Sequence, residues 1–350
     1  MAEIFSRLAT EGFEITQLSS GFPGAPDREQ VDGIAVNRLG PLAIYYPRAL
    51  WRCARQTRHG EFDVVVECLN KLPYYSPVYS RAPVLALCHH LFGEVAFAQV
   101  AWPIAATVWA AERGIPWLYR RCPFIAISES SRQDLIARGI PGAQVQVSLP
   151  GIAPCSVPVD STGVRPQRIA CLGRLEPYKR VDRVIRAVSQ LRNRFPAIEL
   201  VVIGRGSAQA SLETLAADLN LADCVRFTGF VSDEERDALL VGCRLSVCAS
   251  PKEGWGLTVI ESNSAGTPVV AADAPGLRDS VQDGETGILV ETDTAEAFAE
   301  AIGRLLMDDE LAVRMSRDAL AWSKRFDWDQ AASEMATAIE QAIRAPSYST

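Results

Sequence analysis

The chain has 350 residues, of which 48% are apolar and 22% are charged. The length corresponds to about two domains. The composition is that of a globular protein, and it excludes a disordered, collagenous or coiled-coil chain. The formal net charge of −7 and a pI near 5.2 argue against nucleic acid as a partner, because duplex-binding proteins usually carry a basic face and a high pI.

Short apolar runs alternate with amphipathic stretches along the whole chain. Most runs are rich in Val, Ile and Leu. Strands that are buried on both faces of a parallel sheet have this composition. Repeated strand–helix alternation predicts a doubly wound α/β architecture. The predicted strands are 13–19, 34–39, 62–69, 84–89, 124–128, 145–149, 168–173, 198–204, 225–230, 245–249, 268–273 and 287–290. The predicted helices are 1–8, 181–194, 209–219, 233–241, 257–265, 295–306 and 328–344, the last after a helix that ends near Arg325.

The chain is predicted to form two Rossmann-like domains, at residues 1–155 and 156–325. The stretch 153–166 is rich in Pro, Ser, Thr, Val and Gly without a period, and we interpret it as the linker. Residues 326–350 are predicted to form a C-terminal helix that could pack back on the N-terminal domain. Open α/β sheets bind ligands beyond the carboxyl ends of their strands, so functional residues are expected in the loops that follow.

The nine cysteines show no CxxC pair and no metal-type spacing. Cys68, Cys88, Cys171 and Cys248 lie in apolar runs, so they are predicted to be buried free thiols in a reducing compartment. Because residues 1–8 resemble an amphipathic helix, no signal peptide is expected. The sequence predicts a cytoplasmic protein without a metal site.

The longest apolar stretch covers residues 95–111 and is too short for a spanning helix, which needs about 20 residues. We interpret it as a protein-packed or interfacial segment. An aromatic and basic stretch overlaps it and could form an interfacial surface at the inner face of a membrane, an acceptor-facing surface, or simply core with a solvated rim. Its residues are Trp102, Trp109, Arg113, Trp117, Leu118, Tyr119, Arg120 and Arg121.

The strongest motif follows the predicted strand 245–249 and opens a helix. Its sequence is Glu253-Gly254-Trp255-Gly256-Leu257-Thr258-Val259-Ile260-Glu261. The glycines allow close backbone approach to a ligand, and the first amides of the helix form a ready anion site. Glu261 could accept hydroxyl protons from a ribose, while Glu253 would face the other end of the ligand. A glycine turn before a helix is the structural alternative.

A second motif follows the predicted strand 168–173 and reads Gly173-Arg174-Leu175-Glu176-Pro177-Tyr178-Lys179-Arg180. Its two cations, Arg174 and Lys179, could neutralise a diphosphate, with arginine as a planar fork and lysine as a point charge. The alternative is a solvated charged loop. Both motifs lie at strand carboxyl ends of one domain, which favours a shared site.

In these motifs the chain resembles the donor domain of retaining GT-B glycosyltransferases of family 4. The resemblance implies two Rossmann-like domains facing a cleft, with Arg174 and Lys179 on the donor diphosphate. It also implies Glu261 on the ribose and Glu253 on hydroxyls of the transferred sugar. The motifs that carry it between residues 168 and 290 are Gly173-Arg174-Leu175 with Lys179, Gly229-Phe230-Val231, Glu253 with Glu261, Gly266-Thr267-Pro268-Val269-Val270, and Asp283-Gly284-x-Thr286-Gly287. The donor-binding residues expected are Gly173, Arg174, Lys179, Glu253, Gly254, Trp255, Gly256, Leu257, Thr258 and Glu261.

The first half resembles the acceptor domain of the same family more weakly. The predicted strand 84–89 ends in His89-His90, and family members usually place a histidine there, near the transferred sugar. We favour His89 for this role, with His90 as the alternative residue. The structural alternative is that the two histidines only pack at the strand end. The turn at Ser128-Glu129-Ser130-Ser131-Arg132 also resembles the family, although capping by Ser130 or Ser131 explains it equally well.

The chain departs from the family pattern at its start. Members normally begin with a buried strand and a Gly-rich loop, whereas Met1 here leads straight into a predicted helix. The strand is therefore expected to be missing, through a start codon assigned too late or a real truncation. Its loss would leave neighbouring strands unpaired at a central position of the sheet.

The resemblance implies a retaining, metal-independent hexosyltransferase that acts in polysaccharide or glycolipid biosynthesis. It would move a sugar from a UDP- or GDP-linked donor to a saccharide or lipid-linked acceptor, with no cofactor besides this co-substrate. The catalytic residues expected are His89, Arg174, Lys179 and Glu253. The alternatives are an inactive nucleotide-sugar-binding subunit and a nucleotide-sugar epimerase on the same fold. A glycoside hydrolase would leave the paired cations unexplained.

Overall fold

The computed structural model describes residues 1–70, 72–95, 97 and 101–344. The chain divides into two compact units. The first comprises Met1–Gly151 together with Asp327–Thr350, and the second comprises Ile152–Phe326.

The strands are β1 (Thr16–Ser19), β2 (Arg28–Val31), β3 (Ile34–Arg38), β4 (Val65–Leu69), β5 (Val84–Cys88), β6 (Phe124–Ala126), β7 (Val145–Val147), β8 (Arg168–Leu172), β9 (Glu199–Ile203), β10 (Val225–Gly229), β11 (Leu245–Cys248), β12 (Val269–Ala272) and β13 (Gly287–Val290). The α-helices are Ala2–Thr10, Leu42–Arg58, Ser76–Tyr79, Trp102–Glu112, Ile115–Leu118, Glu129–Ala137, Val181–Leu191, Gln209–Asp218, Asp233–Val241, Leu257–Ser264, Leu277–Ser280, Ala295–Met307, Asp309–Ser323 and Trp328–Arg344. Every predicted strand run contains an observed strand, and the predicted helices are confirmed with small changes at their ends.

The first unit contains two separate sheets. One is parallel throughout, in the order β4-β5-β6-β7, and the other has the order β1-β3-β2. In the four-stranded sheet, Leu85, Leu87 and Ile125 face one apolar cluster, while Ala86 and Phe124 face another. The first cluster is covered by the helices Ala2–Thr10 and Trp328–Arg344. Both faces of this sheet are therefore buried, which explains its continuous apolar runs.

Strand β2 was not predicted from the sequence. It pairs antiparallel with β3 through a turn at Asp32-Gly33, where both residues have positive φ, 49° and 81°. A two-residue Asp-Gly turn with positive φ has a backbone twist that matches the twist of the two strands it connects. That dipeptide was the available signal, but β2 is largely exposed and lacks the apolar run used to find the other strands.

The second unit is built on one parallel sheet of six strands, in the order β10-β9-β8-β11-β12-β13. The chain builds outward from β8 to β9 and β10, then returns to β11 on the other side of β8. The order therefore reverses between β8 and β11. In an open α/β sheet such a reversal leaves a crevice at the strand carboxyl ends, where ligands bind.

The structure describes both the predicted linker and the cysteines that were predicted to be buried. The predicted linker 153–166 lacks helix and strand, but it is anchored within the second unit, where Arg165 donates to the Thr267 hydroxyl at 2.7 Å. Cys68 is exposed and Cys248 is half-buried, whereas Cys88 and Cys171 are buried as predicted. Cys68 lies near the end of β4, which is an edge strand of its sheet. All nine cysteines lie in the described residues, and no disulfide joins any of them.

The apolar stretch 95–111 lies partly outside the described residues, at Ala96 and at 98–100. Its residues 102–111 lie in the helix Trp102–Glu112. Tyr119, which was assigned to the same aromatic surface, is instead fully buried, whereas Trp102 and Trp117 are exposed. Among the described residues, no helix has the length and apolar character needed to cross a membrane.

A buried carboxylate organises the loop that follows β4. Glu67 accepts hydrogen bonds from the backbone amides of Tyr74 and Ser76, at 2.7 and 3.0 Å, and from the Tyr119 hydroxyl. The Ser76 hydroxyl also donates to it. Because a buried charge is tolerated only when it is hydrogen-bonded, this arrangement fixes the turn at the carboxyl end of the sheet.

Replacing Glu67 with Ala should destabilise the protein by about 3–5 kcal/mol, because several buried donors would lose their acceptor at about 1–3 kcal/mol each. Urea unfolding followed by circular dichroism measures this loss. The matched control is Glu14→Ala at an exposed glutamate of the same unit, which should change the free energy of unfolding by less than about 0.5 kcal/mol. Equal stability of the two variants would contradict the structural role of Glu67.

Candidate functional site

The two motifs of the second unit follow the two strands between which the sheet order reverses. The loop from Gly173 to Lys179 follows β8, and the loop from Ala249 to Gly256 follows β11. A recess at this point is lined by residues of both loops, among them Gly173, Arg174, Lys179 and Ser250. The prediction that both motifs belong to one site is therefore consistent with the sheet topology.

The loop after β8 packs backbone to backbone against the loop after β9. The Leu175 amide donates to the Arg205 carbonyl at 2.8 Å. A Cβ at Gly204, where φ is +131°, would lie 2.0 Å from the Gly173 carbonyl oxygen. Glycine is therefore required there, and this close contact fixes the direction in which the loop leaves the sheet. Arg174 is exposed at the tip, where its guanidinium donates to the Tyr178 hydroxyl at 2.8 Å.

The loop after β11 ends in a left-handed glycine that starts the helix Leu257–Ser264. Gly256 has φ of +90°, and a Cβ there would lie 2.8 Å from the Ser280 hydroxyl oxygen. An alanine would be strained and crowded, so the sharp turn depends on glycine. The turn brings the helix N-terminus, with the amides of Leu257 and Thr258, to the carboxyl edge of the sheet. First-turn amides lack intrahelical partners and favour anions.

Lys179 and Glu253 form a direct ion pair that joins the two loops. Both side chains are only 17% exposed. Burial acts to lower the pKa of Lys179, but the Glu253 carboxylate and its neighbours outweigh it, so the pKa lies above its ordinary value. The lysine is therefore charged at neutral pH. The sequence assigned these residues to opposite ends of a ligand and did not predict their contact.

Glu261 lies inside the helix Leu257–Ser264 and is held by a cation from the neighbouring helix. The Arg236 guanidinium donates to it at 3.3 Å and to Asp237 at 2.8 Å. Burial raises the pKa of Glu261, and the nearby Arg236 opposes that shift. Asp237 in turn accepts from the Ser156 amide and hydroxyl, at 2.8 and 2.9 Å. Arg236 was not identified from the sequence, although it directly follows the helix-capping signature Ser232-x-x-Glu235.

Trp255 faces the core of the second unit rather than solvent. It is buried and packs edge-on against Phe326, with ring centroids 5.3 Å apart. Its indole nitrogen is buried without a hydrogen-bond partner among the described residues. A large apolar ring at this position stabilises the turn by burial. The structure therefore gives Trp255 a packing role, and donor contact remains a prediction.

His89 follows β5 in the first unit and lies next to the turn at residues 128–132, whose sequence resembles that of the family. The Ser131 hydroxyl donates to the His89 carbonyl at 3.0 Å. The capping residue of the helix Glu129–Ala137 is Ser128, which accepts from the Ser131 amide at 3.0 Å, rather than Ser130 or Ser131. Burial, the amino group of Met1 and His90 lower the pKa of His89 to about 4. The imidazole is therefore neutral at physiological pH.

A second buried carboxylate of the first unit was missed by sequence reasoning. Glu112 accepts from the backbone amides of Phe92 and Gly93, at 2.6 and 2.8 Å, and from Arg138 at 3.2 Å. It thus fixes the turn that follows His89 and His90. Its signal in the sequence is the position of a lone charge directly after the apolar run 95–111.

The second unit thus brings two cations of the loop after β8, Arg174 and Lys179, to the sheet edge where the helix Leu257–Ser264 begins, and Glu253 pairs with Lys179 there. Such a set can bind a dianionic group through Lys179, Arg174 and backbone amides, while Glu253 and Glu261 accept protons from hydroxyls. Among the described residues, no group of three or more His, Cys, Asp or Glu side chains could hold a metal ion.

Two family models match the chain in consecutive regions. Residues 162–322 match Glycosyl transferases group 1, and residues 1–154 match Glycosyltransferase Family 4. Together the two regions include both units apart from the linker region and the C-terminal helix.

Curated relatives agree with this assignment. The chain is 33% identical over 182 residues to a GDP-mannose-dependent alpha-(1-6)-phosphatidylinositol monomannoside mannosyltransferase of Mycobacterium tuberculosis, covering 50% of this chain and 47% of the relative. It is 31% identical over 253 residues to a D-inositol 3-phosphate glycosyltransferase of Acidothermus cellulolyticus, covering 68% and 53%. The chain therefore spans about half the length of the curated relatives it matches.

Solved structures share the fold. A sucrose-phosphate synthase from Thermosynechococcus elongatus superposes with a TM-score of 0.78 at 22% identity, over 98% of this chain and 92% of that one. The HepE protein of Anabaena in complex with UDP-glucose superposes with a TM-score of 0.71 at 22% identity, over 89% and 87%. From its family matches, its relatives and its two Rossmann-like units, the chain belongs to the family 4, group 1 glycosyltransferases and has their GT-B fold.

Proposed function

We propose that this protein transfers a sugar from a nucleoside diphosphate sugar to a saccharide or lipid-linked acceptor, with retention at the anomeric carbon. The observation that carries the proposal is the position of Lys179, Arg174 and the Gly256 turn at the reversal point of the parallel sheet. Ligands of open α/β sheets bind at this point.

In this proposal the diphosphate lies between the loops after β8 and β11. Cleavage of the sugar–phosphate bond builds negative charge on the leaving group. Lys179, Arg174 and the amides at Leu257 stabilise this charge as it develops, and such preorganised stabilisation is usually the largest part of catalysis. These fixed cations would take the place of a metal ion, so the reaction is proposed to be metal-independent.

The two carboxylates, Glu253 and Glu261, are proposed to accept hydrogen bonds from hydroxyls at the two ends of the donor. Glu261, held by Arg236, is assigned to the ribose hydroxyls, and Glu253 to hydroxyls of the transferred sugar. Lys179 is paired with Glu253 in the structure, and we propose that the diphosphate replaces that carboxylate at the lysine. Release of Glu253 would then make it available to the sugar. Donor binding and orientation of the sugar are thereby coupled through one contact.

His89 is proposed to act as a neutral hydrogen-bonding group for the transferred sugar. Its pKa of about 4 means that it carries little charge at pH 7, so it orients the sugar rather than neutralising the leaving group. The acceptor oxygen is proposed to attack on the face from which the diphosphate leaves, and its proton passes to the departing phosphate oxygen. This retains the configuration without a protein nucleophile.

The relatives support a proposal for the donor and acceptor classes. Those named above use GDP-mannose with a phosphatidylinositol mannoside, or glycosylate inositol 3-phosphate, while the HepE structure holds UDP-glucose. We therefore infer a GDP- or UDP-linked hexose as donor. A lipid-linked acceptor would also place the protein at the inner face of a membrane, as a peripheral protein.

Incubation with GDP-mannose or UDP-glucose, with and without phosphatidylinositol monomannoside or inositol 3-phosphate, tests this function. We expect nucleoside diphosphate release only when an acceptor is present, an α-linked product from the α-linked donor by NMR, and unchanged turnover in EDTA. Tight nucleotide binding without turnover would instead favour a binding subunit, and conversion of the donor to its epimer would favour an epimerase. A β-linked product would overturn retention.

Changing Lys179 to Ala should weaken binding of the nucleoside diphosphate about 10- to 100-fold, because charge-assisted hydrogen bonds of partly buried groups contribute about 1.5–3 kcal/mol. Isothermal titration calorimetry measures the dissociation constant. The control is Lys324→Ala, an exposed lysine of the same unit, which should bind like the wild type. Equal affinities for both variants would show that the diphosphate lies elsewhere.

A further inference from the structure

One aromatic side chain, Tyr178, contacts both cations of the loop after β8. Its hydroxyl accepts a hydrogen bond from the Arg174 guanidinium at 2.8 Å. The Nζ atom of Lys179 lies 5.3 Å from the centroid of the Tyr178 ring, within the range of a cation–π contact. The function proposed above assigns both cations to the diphosphate and leaves Tyr178 without a role.

A short helical turn of the backbone places Tyr178 beside the two cations. This turn covers Pro177–Lys179 and begins after Glu176. The Lys179 amide donates to the Glu176 carbonyl at 2.9 Å, and the Arg180 amide donates to the Pro177 carbonyl at 3.2 Å. Because the proline ring fixes φ at the start of the turn, the backbone position of Tyr178 is well defined.

The loop is anchored to its neighbour by contacts that do not involve Tyr178. The Glu176 carboxylate accepts from the Ser207 hydroxyl at 2.6 Å and from the Ser207 amide at 3.4 Å. Ser207 belongs to the loop after β9, and the backbone bond between Leu175 and Arg205 joins the same two loops. The order of the loop therefore has its own source, and the Tyr178 side chain acts mainly on the two cations.

The hydrogen bond to Tyr178 restricts a side chain that would otherwise be mobile. Arg174 is exposed at the tip of the loop. A long cationic side chain loses rotamer freedom when it binds a ligand, and holding it in place beforehand reduces that loss. A guanidinium has five N–H donors, so the bond to the phenol oxygen leaves donors for a phosphate group.

The ring of Tyr178 gives Lys179 a second electrostatic partner besides Glu253. The lysine and Glu253 form an ion pair, and in the proposed function the diphosphate replaces that carboxylate. The contact between the ammonium group and the ring face does not use the carboxylate. It can therefore persist during the exchange and keep the lysine at the recess.

We propose that Tyr178 is a positioning residue that sets Arg174 and Lys179 for the diphosphate of the donor. Its hydroxyl orients the guanidinium, and its ring supports the ammonium group. Two cations that are held in place before binding form charge-assisted hydrogen bonds with less loss of conformational freedom. This inference rests on the function proposed above and extends it to a residue that does not itself need to touch the ligand.

Isothermal titration calorimetry with GDP and with UDP tests the inference without acceptor or sugar transfer. Tyr178→Phe keeps the ring and removes the hydroxyl, and it should weaken binding about three- to tenfold. Tyr178→Leu also removes the ring and should weaken binding by about a further two- to fivefold. The control Ser207→Ala removes a hydroxyl from the anchor of the same loop and should bind within about twofold of the wild type. Circular dichroism should show that all three variants are folded.

A double-variant cycle separates positioning from direct contact with the ligand. In a chain that carries Arg174→Ala, the further change Tyr178→Phe should weaken binding by less than about 1.5-fold, because the hydroxyl acts through that arginine. An undiminished loss in this background would overturn the inference, since the hydroxyl would then act on the ligand itself. Equal losses in Tyr178→Phe and Ser207→Ala would also overturn it, since the order of the loop would then decide binding.

The Lys179→Ala variant distinguishes failure of this inference from failure of the proposed function. If Lys179→Ala loses affinity while both Tyr178 variants bind like the wild type, only the positioning role is wrong. If Lys179→Ala also binds like the wild type, or if the wild type binds neither nucleotide, the proposed donor site and the role of Tyr178 are both wrong.

Discussion

At the carboxyl edge of the sheet in the second unit, the central contact is the ion pair between Lys179 and Glu253. It joins the loops after β8 and β11, the two strands between which the sheet order reverses. The strand order creates the crevice, and glycines at 204 and 256 let the loops approach it closely. With both side chains largely buried, each charge depends on the other until a ligand replaces one of them. An anionic donor is a ligand that can do so.

The sequence predicted the second unit well because its signals are local. Apolar runs, helix starts and glycine turns each depend on neighbouring residues, so the loops at Gly173 and Gly256 could be placed at strand ends. It did not predict contacts between distant residues. Lys179 pairs with Glu253, which lies 74 positions away, and Arg236 donates a hydrogen bond to Glu261. These contacts arise only from the order of the strands in the sheet. Trp255 belonged to the motif, but its size directs it into the core.

The first unit was harder to interpret because its organising residues are buried charges. Glu67 and Glu112 each accept backbone amides from a loop at the carboxyl end of the sheet, and Glu112 fixes the turn after His89. A buried glutamate cannot be distinguished from an exposed one by residue type. The helix Leu42–Arg58 was not predicted for a different reason, since it exposes Leu42, Ile44, Leu50 and Trp51 as well as burying apolar residues, and Pro47 interrupts its pattern.

Affinity of the Glu253→Gln variant for the nucleoside diphosphate alone tests the coupling through Lys179 most directly. If the diphosphate displaces Glu253, neutralising that residue should keep the affinity or raise it by about threefold to tenfold, while sugar transfer falls. The gain should vanish in the double variant with Lys179→Ala. The account is contradicted if Glu253→Gln weakens nucleoside diphosphate binding as strongly as Lys179→Ala does.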